Sequence, residues 1–286
     1  MKTEFSNLLT LTLDWLAMTF KGETNREKDF CDLYARIAPI SDETPRNGYN
    51  SATKDGNGVV CMWNADREEM GLHVIFAGSA LRNIFERTGI SQRDLVKAAL
   101  YSGGRITRLD IAKDAQNVVC NLGAIWDCIQ NKDNKGTART FSTIEDHKGN
   151  RTIYIGSRQS EKFARIYDKR GQLDVKGTTW YRYELETKGM VARSFASLLV
   201  SIEDWTGAFD EMAISMLSLE ASRDYKAFFT DGTVLVGIPK IEKQSDTETW
   251  IEAQVMPAVV KWYAEHRDSE AVALLRRMLD LIERQN

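Results

Sequence analysis

Three consecutive runs between residues 151 and 186 limit this chain to a fold built on a sheet with two unlike faces. They read Arg151-Thr152-Ile153-Tyr154-Ile155-Gly156-Ser157-Arg158, Phe163-Ala164-Arg165-Ile166-Tyr167-Asp168-Lys169 and Tyr181-Arg182-Tyr183-Glu184-Leu185-Glu186. Each alternates at period two, the spacing of a strand with one apolar and one polar side. In the second run Ala164 and Ile166 point one way, and Arg165, Tyr167 and Lys169 the other. In the third, Arg182, Glu184 and Glu186 share a face. Solvation alone seldom places a tyrosine between two cations and two carboxylates beside an arginine. This face reads as a site.

Composition narrows the classes of function. The 286 residues are 43% hydrophobic and 28% charged, an ordinary globular profile. Cys31, Cys61, Cys120 and Cys128 are scattered without CxxC spacing. That argues against a disulfide framework and a zinc site, and fits a reducing cytoplasm. No apolar run approaches the roughly 18–20 residues of a membrane span. The opening Met1-Lys2-Thr3-Glu4 is acidic too early for a signal peptide. A net charge of −3 disfavours a bulk nucleic-acid binder. Residues 150–193, however, hold ten Lys/Arg against five Asp/Glu. A basic site on an otherwise acidic chain suits a phosphate-rich ligand, bound in a salt-sensitive way.

Along the chain, Leu11–Phe20 reads as a first strand and Arg26–Ile37 as a helix stopped near Pro39. Residues 41–58 read as a loop, followed by a hairpin of strands Gly58–Asn64 and Gly71–Phe76. Helices are expected over Leu81–Thr88 and Gln92–Tyr101, the second capped by Ser91. Gly103-Gly104 opens a strand over Arg105–Asp114, with Arg108, Asp110, Ala112 and Asp114 on one face. A helix over Asn121–Gln130, a polar stretch with a strand near Thr140–Thr143, and helices Val191–Ile202 and Gly207–Leu219 complete this part. Thr233–Val236 reads as one more strand, and two amphipathic helices follow Thr247. The expectation is an α+β fold, an antiparallel sheet backed by helices, with two related α/β halves left open. The domain reading is 1–238 as one unit and 239–286 as a C-terminal helical segment.

Two constellations carry chemistry. Tyr167 is a candidate nucleophile. A free phenol titrates near 10, so it attacks phosphorus at neutral pH only where its developing charge is stabilised. Arg165 and Lys169 supply positive potential, and Arg158, just after Gly156, can hold a phosphate oxygen bidentately. The plainer alternative is a half-buried sheet tyrosine among solvated charges. The second constellation is Asp110 and Asp114 on one strand with Glu184 and Glu186 on another. If those strands are neighbours, hard oxygen ligands for Mg²⁺ or Mn²⁺ converge. The alternative is a set of cross-strand ion pairs with Arg108 and Arg182. His73, inside an apolar strand, reads as a hydrogen-bonded core residue. His147 lies in a polar loop from which it can act as ligand or base, and His266 reads as surface. No HExxH, GxGxxG, Walker loop or GxSxG is present.

Taken together, Asp14-Trp15-Leu16, Gly71-Leu72-His73-Val74 through Gly78-Ser79-Ala80-Leu81-Arg82, Arg105–Asp114, Thr152–Ser160 with Arg165–Lys169, and Arg182–Glu186 resemble the replication initiation factor (Rep_trans) family. That family includes rolling-circle initiators of plasmids and phages and related relaxases. The likeness runs in family order over roughly residues 11–190. It implies a relative of the HUH-endonuclease palm, although the His-hydrophobe-His motif is missing here, which makes carboxylates the necessary ligands. It implies a metal-dependent DNA strand transferase that nicks one strand through a tyrosine, keeps the 5′-phosphate as a phosphotyrosyl ester and leaves a 3′-OH. Carried over by position, the tyrosine is Tyr167 and the acidic positions are Asp110 and Glu184, then Asp114 and Glu186. Tyr154, Tyr181 and Tyr183 are rivals for the nucleophile, Tyr154 foremost. The partners implied are origin DNA, as a hairpin or single-stranded nick site, a host helicase and polymerase, and a second copy of the chain. Trp180 and Tyr183 are the aromatics expected to stack on bases. Two further readings stay open: a relaxase of an integrative element, and a catalytically silent DNA-binding regulator on the same scaffold.

Overall fold

The structure, a computed structural model, describes residues 8–22, 25–35, 39–173 and 179–229. The expected strand Thr233–Val236 and the C-terminal helical segment lie outside the described residues. The first series of elements is β1 Leu8–Phe20, α1 Asn25–Tyr34, β2 Pro39–Asp42, β3 Ser51–Asp55, β4 Val60–Trp63, β5 Leu72–Ala77, α2 Gly78–Thr88 and α3 Gln92–Tyr101. The second is β6 Arg105–Gln116, α4 Leu122–Gln130, β7 Phe141–Glu145, β8 Arg151–Ile155, β9 Lys162–Asp168, α5 Lys169–Leu173, β10 Trp180–Lys188, α6 Gly189–Ser201 and α7 Thr206–Met216, with α8 Arg223–Lys226 after it.

The ten strands form one sheet in the order β2-β3-β4-β5-β1-β6-β10-β9-β8-β7, with antiparallel pairing throughout. Read outward from the centre, both halves run first strand, fifth, fourth, third, second. The fold is therefore an approximate duplication about an axis between β1 and β6. A short sequence echo fits it: Gly78-Ser79-Ala80-Leu81-Arg82 against Gly189-Met190-Val191-Ala192-Arg193, where the strand hands over to its helix. The two related halves left open by the sequence are present as topology.

Strand alternation sends one set of side chains to the helices. Leu13, Met18, Phe76, Leu109, Ile111, Ile166, Tyr183 and Leu185 form a continuous core with Leu81, Ile84, Leu95, Ile125, Phe195 and Phe209 from the helices. Lys113 is on this side too, 1% exposed, bonded to Asp210 at 2.5 Å. A smaller cluster of Ala17, Ala52, Val60, Met62 and Ile75, flanked by Trp15 and Tyr49, occupies the first half of the other face.

Three expectations change. Residues 41–58, expected as a loop, contain β3. Of its five residues only Ala52 and Asp55 are buried, so the ladder to β4, rather than an apolar pattern, makes it a strand. Lys169, placed on a strand by alternation, instead begins α5, because β9 ends at Asp168. Tyr183, expected to stack on bases, is 0% exposed and meets Phe209 and Phe228 edge-on. Burial removes it both as a stacking platform and as a rival nucleophile.

Candidate active site

The second half of the sheet carries the charged residues opposite its helix-packed side. Register does the assembly. Pairing of β6, β10 and β9 puts Glu186 opposite Asp110, Arg182 opposite both Asp114 and Tyr167, and Glu184 opposite Arg165. Residues far apart in sequence become cross-strand neighbours, whose Cβ atoms lie about 5 Å apart.

Tyr167 is on the charged face, 9% exposed. Its hydroxyl donates to Glu184 Oε2 at 3.1 Å, and Arg165 binds the other oxygen of the same carboxylate. Arg165 and Lys169 stand 6.0 and 5.6 Å from the Tyr167 ring centroid. Burial first, and then the Glu184 charge, push the phenol well above its ordinary range; Arg182 and Arg165 pull the other way. Burial and the Arg182 charge hold Lys169 below the usual lysine range.

Asp110 is 1% exposed, and Arg108 grips it with bonds of 2.5, 3.0 and 3.1 Å. The same guanidinium reaches Glu186 at 2.8 Å, and Lys188 meets Glu186 at 2.6 Å. Burial nonetheless pushes Asp110 up to about 7, with Glu186 and Glu184 adding to the rise against Arg108. Asp114 stands apart: Arg182 takes both its oxygens at 2.7 Å and reaches Asp14 at 2.8 Å.

The expected nucleophile, Arg165, Lys169 and Glu184 are thus brought together, with Asp110 and Glu186 beside them. Arg158 is elsewhere on the face. It lies over the stacked Tyr154–Phe163 pair, 5.1 and 5.5 Å from their centroids. Phe163 is four residues along β9 from Tyr167, roughly 13 Å at strand rise. His147 is exposed in the turn between β7 and β8.

Two residues of the site went unassigned in the sequence reading. Register between β1 and β6 shifts between Leu13 and Trp15, a bulge that turns Asp14 toward Arg182 and brings Trp15 under Arg108 at 4.4 Å. No local sequence signal identifies Asp14, because the bulge that turns it depends on the pairing of β1 with β6.

Hard carboxylate oxygens fit Mg²⁺ or Mn²⁺ in kind. Among the described residues, however, no three His, Cys, Asp or Glu side chains are gathered as a ready-made cage. The cross-strand arginine pairs left as the alternative are in place, and a cation at Asp110 and Glu186 has to displace Arg108.

A solved structure, the rolling circle replication initiator protein from Geobacillus stearothermophilus, is similar with a TM-score of 0.66 and 21% identity, over 78% of this chain and 92% of that one. At that identity the likeness establishes the fold. No curated protein sequence matches. The family model described as replication initiation factor matches residues 104–272, which hold the whole charged half of the sheet and more than half of the chain. The chain belongs to the replication initiation factor family.

Proposed function

We propose that the protein initiates rolling-circle replication by nicking one DNA strand at an origin with Tyr167. The observation that carries this is the Tyr167–Glu184 hydrogen bond, held between Arg165 and Lys169 on a rigid sheet.

A phenol kept protonated by burial is a poor nucleophile at rest, so its proton has to leave as attack proceeds. Glu184 already accepts that proton's hydrogen bond. In the step proposed, the phenolic oxygen bonds to phosphorus and the P–O3′ bond breaks. The phenol proton passes to Glu184, and the departing 3′ oxygen takes a proton from solvent water. The products are a 5′-phosphotyrosyl ester and a 3′-OH that a polymerase can extend. Arg165 and Lys169 offset charge growing on the phosphoryl oxygens. The ester conserves the energy of the phosphodiester, so the strand can be rejoined without a nucleotide cofactor.

Asp110 and Glu186, with Glu184 beside them, are the residues that would hold a Mg²⁺ or Mn²⁺ ion. Such an ion supplies Lewis-acid polarisation of the scissile phosphate. Asp114 serves instead to fix Arg182. Arg158, over Tyr154 and Phe163, suits a flanking phosphate better than the scissile one. A single-stranded or extruded site fits this face, since the scissile phosphate has to reach a hydroxyl that is nearly buried.

Labelled single-stranded origin DNA with Mn²⁺, resolved on a denaturing gel, tests this. Wild type yields a covalent adduct that EDTA prevents. Tyr167→Phe yields none, and Glu184→Gln slows its formation by about 10²–10⁴-fold, the usual contribution of a general base. Manganese titration followed by electron paramagnetic resonance gives a readout independent of cleavage: affinity falls in Asp110→Asn and Glu186→Gln. An adduct formed at wild-type rate in Tyr167→Phe removes the proposal, and unchanged manganese affinity in both carboxylate variants removes the metal site.

A further inference from the structure

The duplicated sheet offers the same face twice; the second copy carries the tyrosine and carboxylates, and the first is largely apolar. Glu184 precedes Gly189, the first residue of α6, by five positions; His73 precedes Gly78, the first residue of α2, by five as well. Arg165 is opposite Glu184, and Met62 is opposite His73. The place that corresponds to the active site in the first half thus lies around the β1 residue Thr19 and its neighbours His73 and Arg105. There, Thr19 Oγ1 and His73 Nδ1 are 2.9 Å apart, and Tyr49 stacks on the imidazole at 5.6 Å with an 18° tilt.

A cleft of about 270 Å³ opens at this place, lined by Thr19, Lys21, Tyr49, Arg105, Thr107 and Arg193 among others. Its lining contains three cations and no carboxylate. The contrast with the other half is direct. Arg108, Arg165 and Arg182 are each consumed by carboxylates. Lys21 and Arg105 are exposed, and neither has an ion-pair partner among the described residues. Arg46 adds a further positive charge near His73. In a chain of net charge −3, this concentration selects a polyanion.

We infer that the cleft around Lys21, Tyr49 and Arg105 binds a single-stranded DNA segment flanking the nick, its cations taking backbone phosphates and Tyr49 a base. The inference rests on the nicking reading for the identity of the strand. Asp114, the β6 residue beyond Arg182 from Tyr167, lies nine positions from Arg105 along the same strand, roughly 30 Å. Between the two ends lie the paired guanidinium groups of Arg165 and Arg108, with Glu184, Asp110 and Glu186, and then Trp15 under Arg108, so the path of a strand across the sheet runs over ion pairs and an aromatic ring. Aromatic stacking with backbone cations is how single strands are held without paired bases. Cutting then falls on the second half of the sheet, and holding at the seam where β1 meets the start of β6.

The test measures fluorescence anisotropy of the full chain in its Tyr167→Phe form, without metal, on oligonucleotides that end near the nick or extend from it on either side. Extension on one side is expected to raise affinity at least tenfold at low salt. Lys21→Ala/Arg105→Ala reduces that gain by at least fivefold, and lowers the slope of log affinity against log salt by about 1.4, two phosphates at roughly 0.7 each. Tyr49→Leu reduces the gain with the salt slope unchanged. Lys132→Ala, an exposed cation on a turn after α4, keeps it. Lys21→Gln and Arg105→Gln, taken singly, each show part of the loss should the double variant not fold. A gain that survives the double variant, or is lost equally in Lys132→Ala, or is as large for paired duplex, overturns the inference. Extension-dependent binding in a protein whose wild type forms no adduct retains the cleft and removes the nicking reading. An adduct without an extension effect does the reverse.

Discussion

Asp110 is the residue at which stability and function pull apart. Burial pushes its carboxyl up to about 7 in the folded chain, against about 4 for an unfolded aspartate. A group raised on folding contributes stability below its unfolded value and loses it as pH rises through the folded one. The metal-free protein should therefore weaken between about pH 4 and pH 7 on account of this residue. Asp110→Asn, which cannot ionise, should gain on wild type by about 2–4 kcal/mol between pH 5 and pH 8 in urea unfolding. A variant that falls behind wild type as pH rises contradicts the assignment. Lys113 gives a second residue-scale expectation. With both partners 1% exposed, Lys113→Met leaves the Asp210 charge buried, at a cost of about 3–5 kcal/mol. Lys113→Met/Asp210→Leu should recover most of that. The outcome that counts against this is a double variant no more stable than the single one.

Among the elements, the tightest backbone constraint is at the start of β5. Gly71 has φ +72, and a Cβ there would sit 2.0 Å from the Phe20 carbonyl oxygen of the neighbouring β1. Gly71→Ala should cost roughly 2–3 kcal/mol and lower Tm accordingly, where a surface Gly→Ala has little effect. At this scale the sequence was legible wherever apolar period was strong. α3 falls over Gln92–Tyr101 as its Ser91 cap and spacing required, with Ser91 Oγ accepting from the Asp94 amide at 3.0 Å. β6, β9 and β10 alternate as expected, which is why Arg165, Tyr167, Glu184 and Asp110 share a face. β3 was illegible because Ser51-Ala52-Thr53-Lys54-Asp55 has almost no apolar side chain to announce it. Its strand state comes from partners distant in sequence. Lys113, a charge on the helix side of β6, has no local signal either, since its partner, Asp210, is 97 residues away.

For the molecule as a whole, what local pattern could not supply was register. Four carboxylates on two strands read equally well as a metal cage or as arginine pairs. Only the pairing of β6 with β10 shows Asp114 committed to Arg182, with Glu186 and Asp110 sharing Arg108. The duplication was similarly faint, since its echo amounts to a few residues, while the order of ten strands states it plainly. Among the described residues no helix is long and apolar enough to cross a membrane. The central claim is the identity of the nucleophile, and one measurement reaches it directly: trypsin digestion of the protein–DNA adduct followed by mass spectrometry of the nucleotide-bearing peptide. Cleavage after Arg165 and Lys169 releases Ile166–Lys169, and the account predicts the phosphodiester on this peptide at Tyr167. Nucleotide mass on Thr152–Arg158, which contains Tyr154, would contradict it.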